Sequence, residues 1–208
     1  MRSPFSYLWV LRDKLYGYFA HGDQRPTARY FGPNPGGVLT HITNLWRPMD
    51  AIDAHVFVGN ALDAADYATL REFNITTIVN VSAELSDYYR ENRDVAGAAE
   101  FLYLHLEVLD SAGADITPLL HRFDQFLSAP AGIAGGGRML IHCYMGSSRS
   151  ACIATLYLCR TYDYTVEAAL EHLRTVRPHV NVNVEFVAQL RDYLAASRTL
   201  VRELAEPT

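Results

Sequence analysis

The sequence predicts an α/β fold: a central mixed, partly parallel sheet flanked by helices, with an N-terminal helical extension. Three observations predict it. Short apolar and β-branched runs alternate with stretches of helical periodicity from about residue 51 to residue 205. A Pro- and Gly-rich stretch, residues 20–48, separates that pattern from an apolar N-terminal segment. The chain has 208 residues, 50% of them apolar or aromatic and 20% charged, which suits one packed domain with an appendage. The expected division is residues 1–50 as extension and residues 51–205 as the folded domain.

Taken in order, residues 5–19 form an amphipathic helix. Phe5, Leu8, Trp9, Tyr16 and Phe19 share one face, with Ser6, Asp13, Lys14 and Gly17 on or near the other. Arg12 lies within the apolar face and can extend its head to the edge. A free helix this short is marginal in water, so its apolar face must find a surface on a second copy, its own domain or a membrane interface. The expectation is a homodimer through this helix, with packing on its own domain as the next reading and anionic lipid last. Pro26, Pro33, Pro35 and Pro48, with Gly32, Gly36 and Gly37 between them, then break regular structure into a linker. His55 to Val58 is a short strand closed by Gly59-Asn60. Asp63 to Phe73 is helical, with Tyr67, Leu70 and Phe73 in register. Thr76 to Val81 is a buried β-branched strand, and residues 84–100 are polar and either helical or irregular.

Phe101 to Val108 forms another strand and Ile116 to Leu127 another helix. Gly135 to Gly137 makes a turn before the strand Met139-Leu140-Ile141. Three helices follow: Ser150 to Arg160, Val166 to Val176, and Val184 to about Leu204. The last carries Phe186, Val187, Leu190, Tyr193 and Leu194 on one face, with Asn183 as N-cap and Glu185 in its first turn.

Composition removes several kinds of chemistry. The net charge of −5 advertises no nucleic-acid partner and no anionic membrane. Of 18 basic residues 17 are Arg; Lys14, the one lysine, follows Asp13. There is therefore no G-K-[ST] phosphate loop and no Schiff-base lysine in the body of the chain. Three cysteines make no disulfide framework and imply a reducing, cytoplasmic setting. Arg12, Asp13 and Lys14 interrupt the apolar N-terminus too early for a membrane span, and no signal-peptide cleavage site is present. Eight histidines show no metal-ligand spacing with cysteine, so no metal and no cofactor are expected.

The informative stretch is Leu140-Ile141-His142-Cys143-Tyr144-Met145-Gly146-Ser147-Ser148-Arg149-Ser150. A strand runs into a short loop that opens a helix, where successive backbone N–H groups converge on an anion. The same field favours a thiolate: a free cysteine has a pKa of about 8.5, lowered to roughly 3.5–7.5 by helix N-termini and nearby cations. Arg149 is placed to fold back as a planar fork onto two phosphate oxygens. Gly146 lets the loop turn its amides inward. A C-x5-R pair alone is a weak signal. The preceding His, the Gly at the fourth position and the hydroxyl after the arginine make it specific.

Here the chain resembles a family, the dual-specificity phosphatases of the cysteine-dependent protein-tyrosine-phosphatase superfamily, over about residues 52–195. HVFVGNALDAADYATLREFNITTIVNVS is similar to the family's opening strand, turn, helix and second strand. HCYMGSSRSACIATLYL is similar to its phosphate loop and following helix, and TVEAALEHLRTVRPHVNVNVEFVAQL to the region after it. Arg177, Pro178, Asn183 and Phe186 match the family's pattern there. Val182 stands where the family often has proline, and Tyr144 and Met145 are bulkier than usual. These departures bear on substrate choice more than on chemistry.

The resemblance implies a protein-tyrosine-phosphatase-like fold and a role for each matching position. Cys143 attacks phosphorus. Arg149 and the loop amides of Tyr144, Met145, Gly146, Ser147, Ser148 and Arg149 hold the phosphoryl oxygens. Ser150 assists release of the thiolate. Asp110, in the loop after the third strand, is the general acid, with Asp115 as the fallback. His142 and Asn183 support the loop. Bland readings remain beside these: Asp110 as a helix or turn cap, His142 as a core histidine, Cys152 and Cys159 as inert core or as redox partners of Cys143. The implied substrates are phosphorylated proteins. The rival readings are a phosphoinositide or other non-protein phosphatase on the same scaffold, and a non-catalytic phospho-binding module.

Overall fold

The computed structural model describes residues 47–91, 100–129 and 137–205. The chain divides into two compact units, residues 1–46 and 47–208, and all the described residues belong to the second. The expected N-terminal helix, its linker up to residue 46 and the start of the glycine turn at 135 lie outside the described residues.

Among the described residues five strands make one sheet: β1 (Asp50–Ala51), β2 (Val56–Gly59), β3 (Ile75–Asn80), β4 (Leu102–His105) and β5 (Arg138–His142). Their order is β1-β2-β5-β3-β4. β1 is antiparallel to β2; the other three pairings are parallel. A 3-10 turn (Asp63–Ala65) and helices α1 (Tyr67–Glu72) and α2 (Tyr88–Glu91) lie between the early strands. Helices α3 (Thr117–Ser128), α4 (Arg149–Tyr162), α5 (Val166–Val176) and α6 (Val184–Ala205) come after them. Among the described residues no helix is long and apolar enough to cross a membrane.

The two-residue period of the strands sorts their side chains into two cores. Val56, Val58, Met139 and Ile141 join the larger one, with α3 to α6; Phe57 and Leu140 join the smaller, with Met49, Leu70 and Tyr89. Covering both faces is what a parallel sheet requires, and it explains why β5 reads as an unbroken apolar run. In β3, Ile75 and Ile78 face the same side although three residues apart. An irregularity between Ile75 and Thr77 absorbs the extra residue, Thr76. Gly137 fits beside it, because a Cβ there would overlap the Thr76 side chain. α4 runs through the middle of the larger core, buried from Arg149 to Cys159.

Two elements differ from expectation. The helix expected over Asp63 to Phe73 is split, because the Asp66 carboxylate accepts from the Thr69 N–H at 3.3 Å and starts α1 afresh. The strand expected over Phe101 to Val108 ends at His105. Beyond it the Val108 carbonyl serves other donors, the Ala83 N–H at 3.1 Å and the Arg149 side chain at 3.1 Å. All four parallel strands end on one side of the sheet, so the loops after β2, β3, β4 and β5 gather there.

The turn after β2 is fastened by Asp63. Its Oδ2 accepts from the Asn60 N–H at 2.8 Å and its Oδ1 from the Met49 N–H at 3.1 Å. Burial raises its pKa to about 6, against the pull of those amides and of Arg177. The native state therefore holds this proton more tightly than the unfolded chain, and stability falls as pH rises from the unfolded value towards 6. Measured against Asp63→Asn, which does not titrate, wild type should lose about 2 kcal/mol between pH ~4 and pH ~7. Paired denaturant titrations at the two pH values check this; a constant difference contradicts it.

Candidate active site

Residues 143–148 connect the end of β5 to the start of α4, and other segments hold their carbonyl groups outward. Tyr144 O accepts from the Ala61 N–H at 3.2 Å, and Ser147 O from the Asn181 N–H at 2.9 Å. Gly146 O accepts from Arg177 Nε at 2.7 Å. In a trans peptide the N–H points opposite to the carbonyl, so the amides of Met145, Ser147 and Ser148 are turned inward. Gly146 has φ +69°, and a Cβ there would sit 2.5 Å from both Gly59 O and Arg177 Nη2. Glycine is thus required twice over at this position. Ser148 Oγ accepts from the Asn183 N–H at 3.1 Å, which ties the loop to the start of α6.

Cys143 lies at the floor of the loop, 2% exposed. Its Sγ is 3.3 Å from Ser150 Oγ and accepts from the Gly146 N–H at 3.3 Å. Burial alone would raise the thiol pKa. The Arg149 charge, the Ser150 hydroxyl and the Ser150 and Gly146 amides outweigh it, and the net shift is downward. At the other cysteines burial prevails: it pushes Cys159 up to about 11 against the pull of Arg198 and Arg160, and Cys152 higher still, so both remain thiols.

Arg149 is 3% exposed and its donors can be accounted for one by one. Nη1 donates to Glu84 Oε2 at 2.6 Å and to Val108 O at 3.1 Å, and Nη2 lies 2.6 Å from Glu84 Oε1. Nε is buried with no partner among the described residues. The fork is therefore clamped at its end by one carboxylate. Nε–H and one Nη2–H are left on a single edge, the spacing that two phosphoryl oxygens accept. Burial opposes the charge on Arg149, but Cys143, Glu84 and Asp110 together hold its pKa above the ordinary value.

Asp110 is half-buried, with Asn183 Nδ2 3.4 Å from its Oδ1, and its charge acts on Arg149. Asn183 Oδ1 also accepts from the Glu185 N–H at 3.0 Å, so one side chain both caps α6 and reaches the Asp110 loop. Asp115 is exposed and accepts from the Thr117 N–H at 2.9 Å, a turn cap at the start of α3. His142 is buried, and burial lowers its pKa to about 4, leaving it neutral behind the loop.

Two residues of the site have no role in the sequence reading. Glu84 lies in a stretch read only as polar; its place just past β3, at the carboxyl edge of a parallel sheet, is the one available signal. Arg177 enters that reading only as a match to the family's pattern. It is fully buried, and its Nη1 donates to Asp50 Oδ2 at 2.6 Å and Pro48 O at 3.1 Å.

Comparison with known proteins places these features in context. The model of the dual specificity phosphatase catalytic domain matches residues 56–196. Protein phosphatase Slingshot homolog 3 of Mus musculus is 32% identical over 147 residues, which are 69% of this chain and 21% of that protein. The chain thus spans only a small part of that relative's length. Dual specificity protein phosphatase 1B of Arabidopsis thaliana is 28% identical over 147 residues, 71% of this chain and 82% of that protein. The solved Yvh1 phosphatase domain from Chaetomium thermophilum has TM-score 0.63 and 26% identity, over 72% of this chain and 96% of that one.

Ser150 offers a direct check on the thiol's surroundings. Its hydroxyl lowers the Cys143 pKa, so Ser150→Ala should move the midpoint of Cys143 alkylation by iodoacetate to higher pH. An unmoved midpoint would show that the hydroxyl does not act on the sulfur.

Proposed function

This chain belongs to the dual specificity phosphatase family, and from that premise we propose that it hydrolyses phosphotyrosine and phosphoserine/threonine in protein substrates through a phosphocysteine intermediate. The observation that most supports this is the buried Cys143 thiol, held below its ordinary pKa beside an arginine with two donors to spare. In the first step the Cys143 thiolate attacks phosphorus, the bond to the leaving oxygen breaks, and Asp110 delivers its proton to that oxygen. Arg149 and the amides of residues 144–149, of which those of Met145, Ser147 and Ser148 are turned inward, hold the phosphoryl oxygens as charge shifts through the transition state. In the second step Asp110 takes a proton from water as the water oxygen bonds to phosphorus. The S–P bond breaks, and Ser150 and the Gly146 amide receive the thiolate, leaving inorganic phosphate.

Tyr144, Met145, Ser147 and Ser148 offer no cation to a second phosphate group, which favours a protein substrate over a phosphoinositide. The wider reading assigns residues 51–205 to catalysis in the cytoplasm and residues 1–50 to an extension whose helix joins two copies.

Cys143→Ser should abolish turnover while leaving phosphate binding largely intact; turnover near wild type would refute the covalent step. Asp110→Asn should depress kcat by about 10²–10⁴-fold for alkyl phosphates and far less for activated aryl esters. If Asp115→Asn shows that leaving-group dependence instead, the acid is Asp115. Deleting residues 1–20 should turn a dimer into a monomer by light scattering, and a full-length chain already monomeric at micromolar concentration would contradict the dimer.

A further inference from the structure

The loops at the carboxyl edge of the parallel strands, residues 60–66, 81–87, 106–116 and 143–148, carry seven carboxylates and no Lys or Arg. Some are spoken for. Glu84 holds Arg149, Asp87 pairs with Arg90 at 3.4 Å, and Asp63 is buried on backbone amides. Asp110 acts on the Arg149 charge. Among the described residues, Glu107, Asp115 and, at the head of α6, Glu185 enter no salt bridge. Among the described residues, Arg149 inside the site and Arg90 beside Asp87 are the cations bordering these loops; others lie on the helical flanks in pairs such as Arg160–Asp124 and Arg191–Glu167, or are buried like Arg177.

Acidic side chains alone would be a solvated surface, but two independent features mark this one as a seat for a chain. The rim surrounds a loop in which the buried Nε of Arg149 has no partner among the described residues. The two most exposed large apolar residues described, Val184 at 80% and Leu109 at 51%, stand next to Asn183 and Asp110. Their segments are laced together, because Gly113 N–H donates to Glu185 Oε2 at 2.6 Å and Asn183 reaches Asp110. Apolar and anionic groups thus share one edge of the phosphate site.

Resting on the phosphatase reading above, we infer that the preferred substrate is a phosphorylated protein segment with Arg or Lys within a few residues of the phosphoresidue and an apolar side chain beside it. Glu107 and Glu185 meet the cationic flanks, while Leu109 and Val184 meet the apolar one. The phosphate dianion is held at short range by Arg149 and the loop amides. The flanks feel the rim over about a Debye length, ~8 Å at physiological salt. Acidic flanks, and equally an anionic lipid surface, are repelled by the same groups.

The test uses the full chain and three substrates: a small aryl phosphate and two phosphotyrosine peptides identical except for Arg or Glu flanks. A few exposed charge pairs together are worth about tenfold in kcat/KM. The Arg-flanked peptide should therefore lead by about that ratio at ~0.05 M salt, and the lead should shrink strongly at ~0.5 M. Glu107→Lys and Glu185→Lys, made separately, should each lower the ratio; a ratio within one variant cancels any general loss of rate. Turnover of the aryl phosphate with equal peptide rates, or with the Glu-flanked peptide ahead, overturns this inference and leaves the phosphatase reading standing. No turnover of any of the three overturns both.

Discussion

The loop from Cys143 to Ser148 depends on one buried cation that solvent does not reach. Arg177 ties two distant stretches together, Gly146 in the loop and the Pro48–Asp50 segment that leads into the edge strand, with no part of it exposed. By pulling the Gly146 carbonyl outward it fixes the following peptide with its N–H inward. Removing one partner from such a buried pair costs about 3–5 kcal/mol, because the other charge is left uncompensated. The short antiparallel strand β1 therefore matters less as sheet than as the carrier of Asp50.

The thiol chemistry is likewise a matter of surroundings. Cys143 and Cys152 are nine residues apart, both buried in one continuous strand–loop–helix unit, yet their pKa values move in opposite directions. Desolvation acts on both. Only Cys143 has a guanidinium, a hydroxyl and inward amides within reach to overcome it. Glu84 keeps that guanidinium in place without quenching its effect, since it occupies the end of the fork and leaves the other edge available.

How far each feature is legible in the sequence depends on the range of the interactions behind it. The β5–loop–α4 passage, the cap at Asn183 and the bounds of α5 are set by residues close in sequence, and each stands where periodicity and capping rules put it. The break at Asp66 is also local, but a capping side chain inside an apolar pattern is hidden by the pattern on either side. The early end of β4, the clamp of Glu84 on Arg149 and the tie of Asp50 to Arg177 are long-range. They span 41 residues from Val108 to Arg149, 65 from Glu84 and 127 from Asp50. No spacing rule links partners so far apart. Arg47 and Asp50 sit at the end of a Pro- and Gly-rich run whose composition says linker, although their side chains belong to the folded unit.

The extra residue at Thr76 bears on how such a chain can change over generations. It lets Ile75 and Ile78 enter the same core while Val79 and Val81 enter the other, and Gly137 makes room for it. Losing that one residue would turn Ile75 to the wrong face, or slip the pairing from Thr77 onward and invert Ile78 and Val79. Insertions and deletions between descendants of this fold should therefore collect in loops and spare the first half of β3, where a single codon decides which side of the sheet the strand serves.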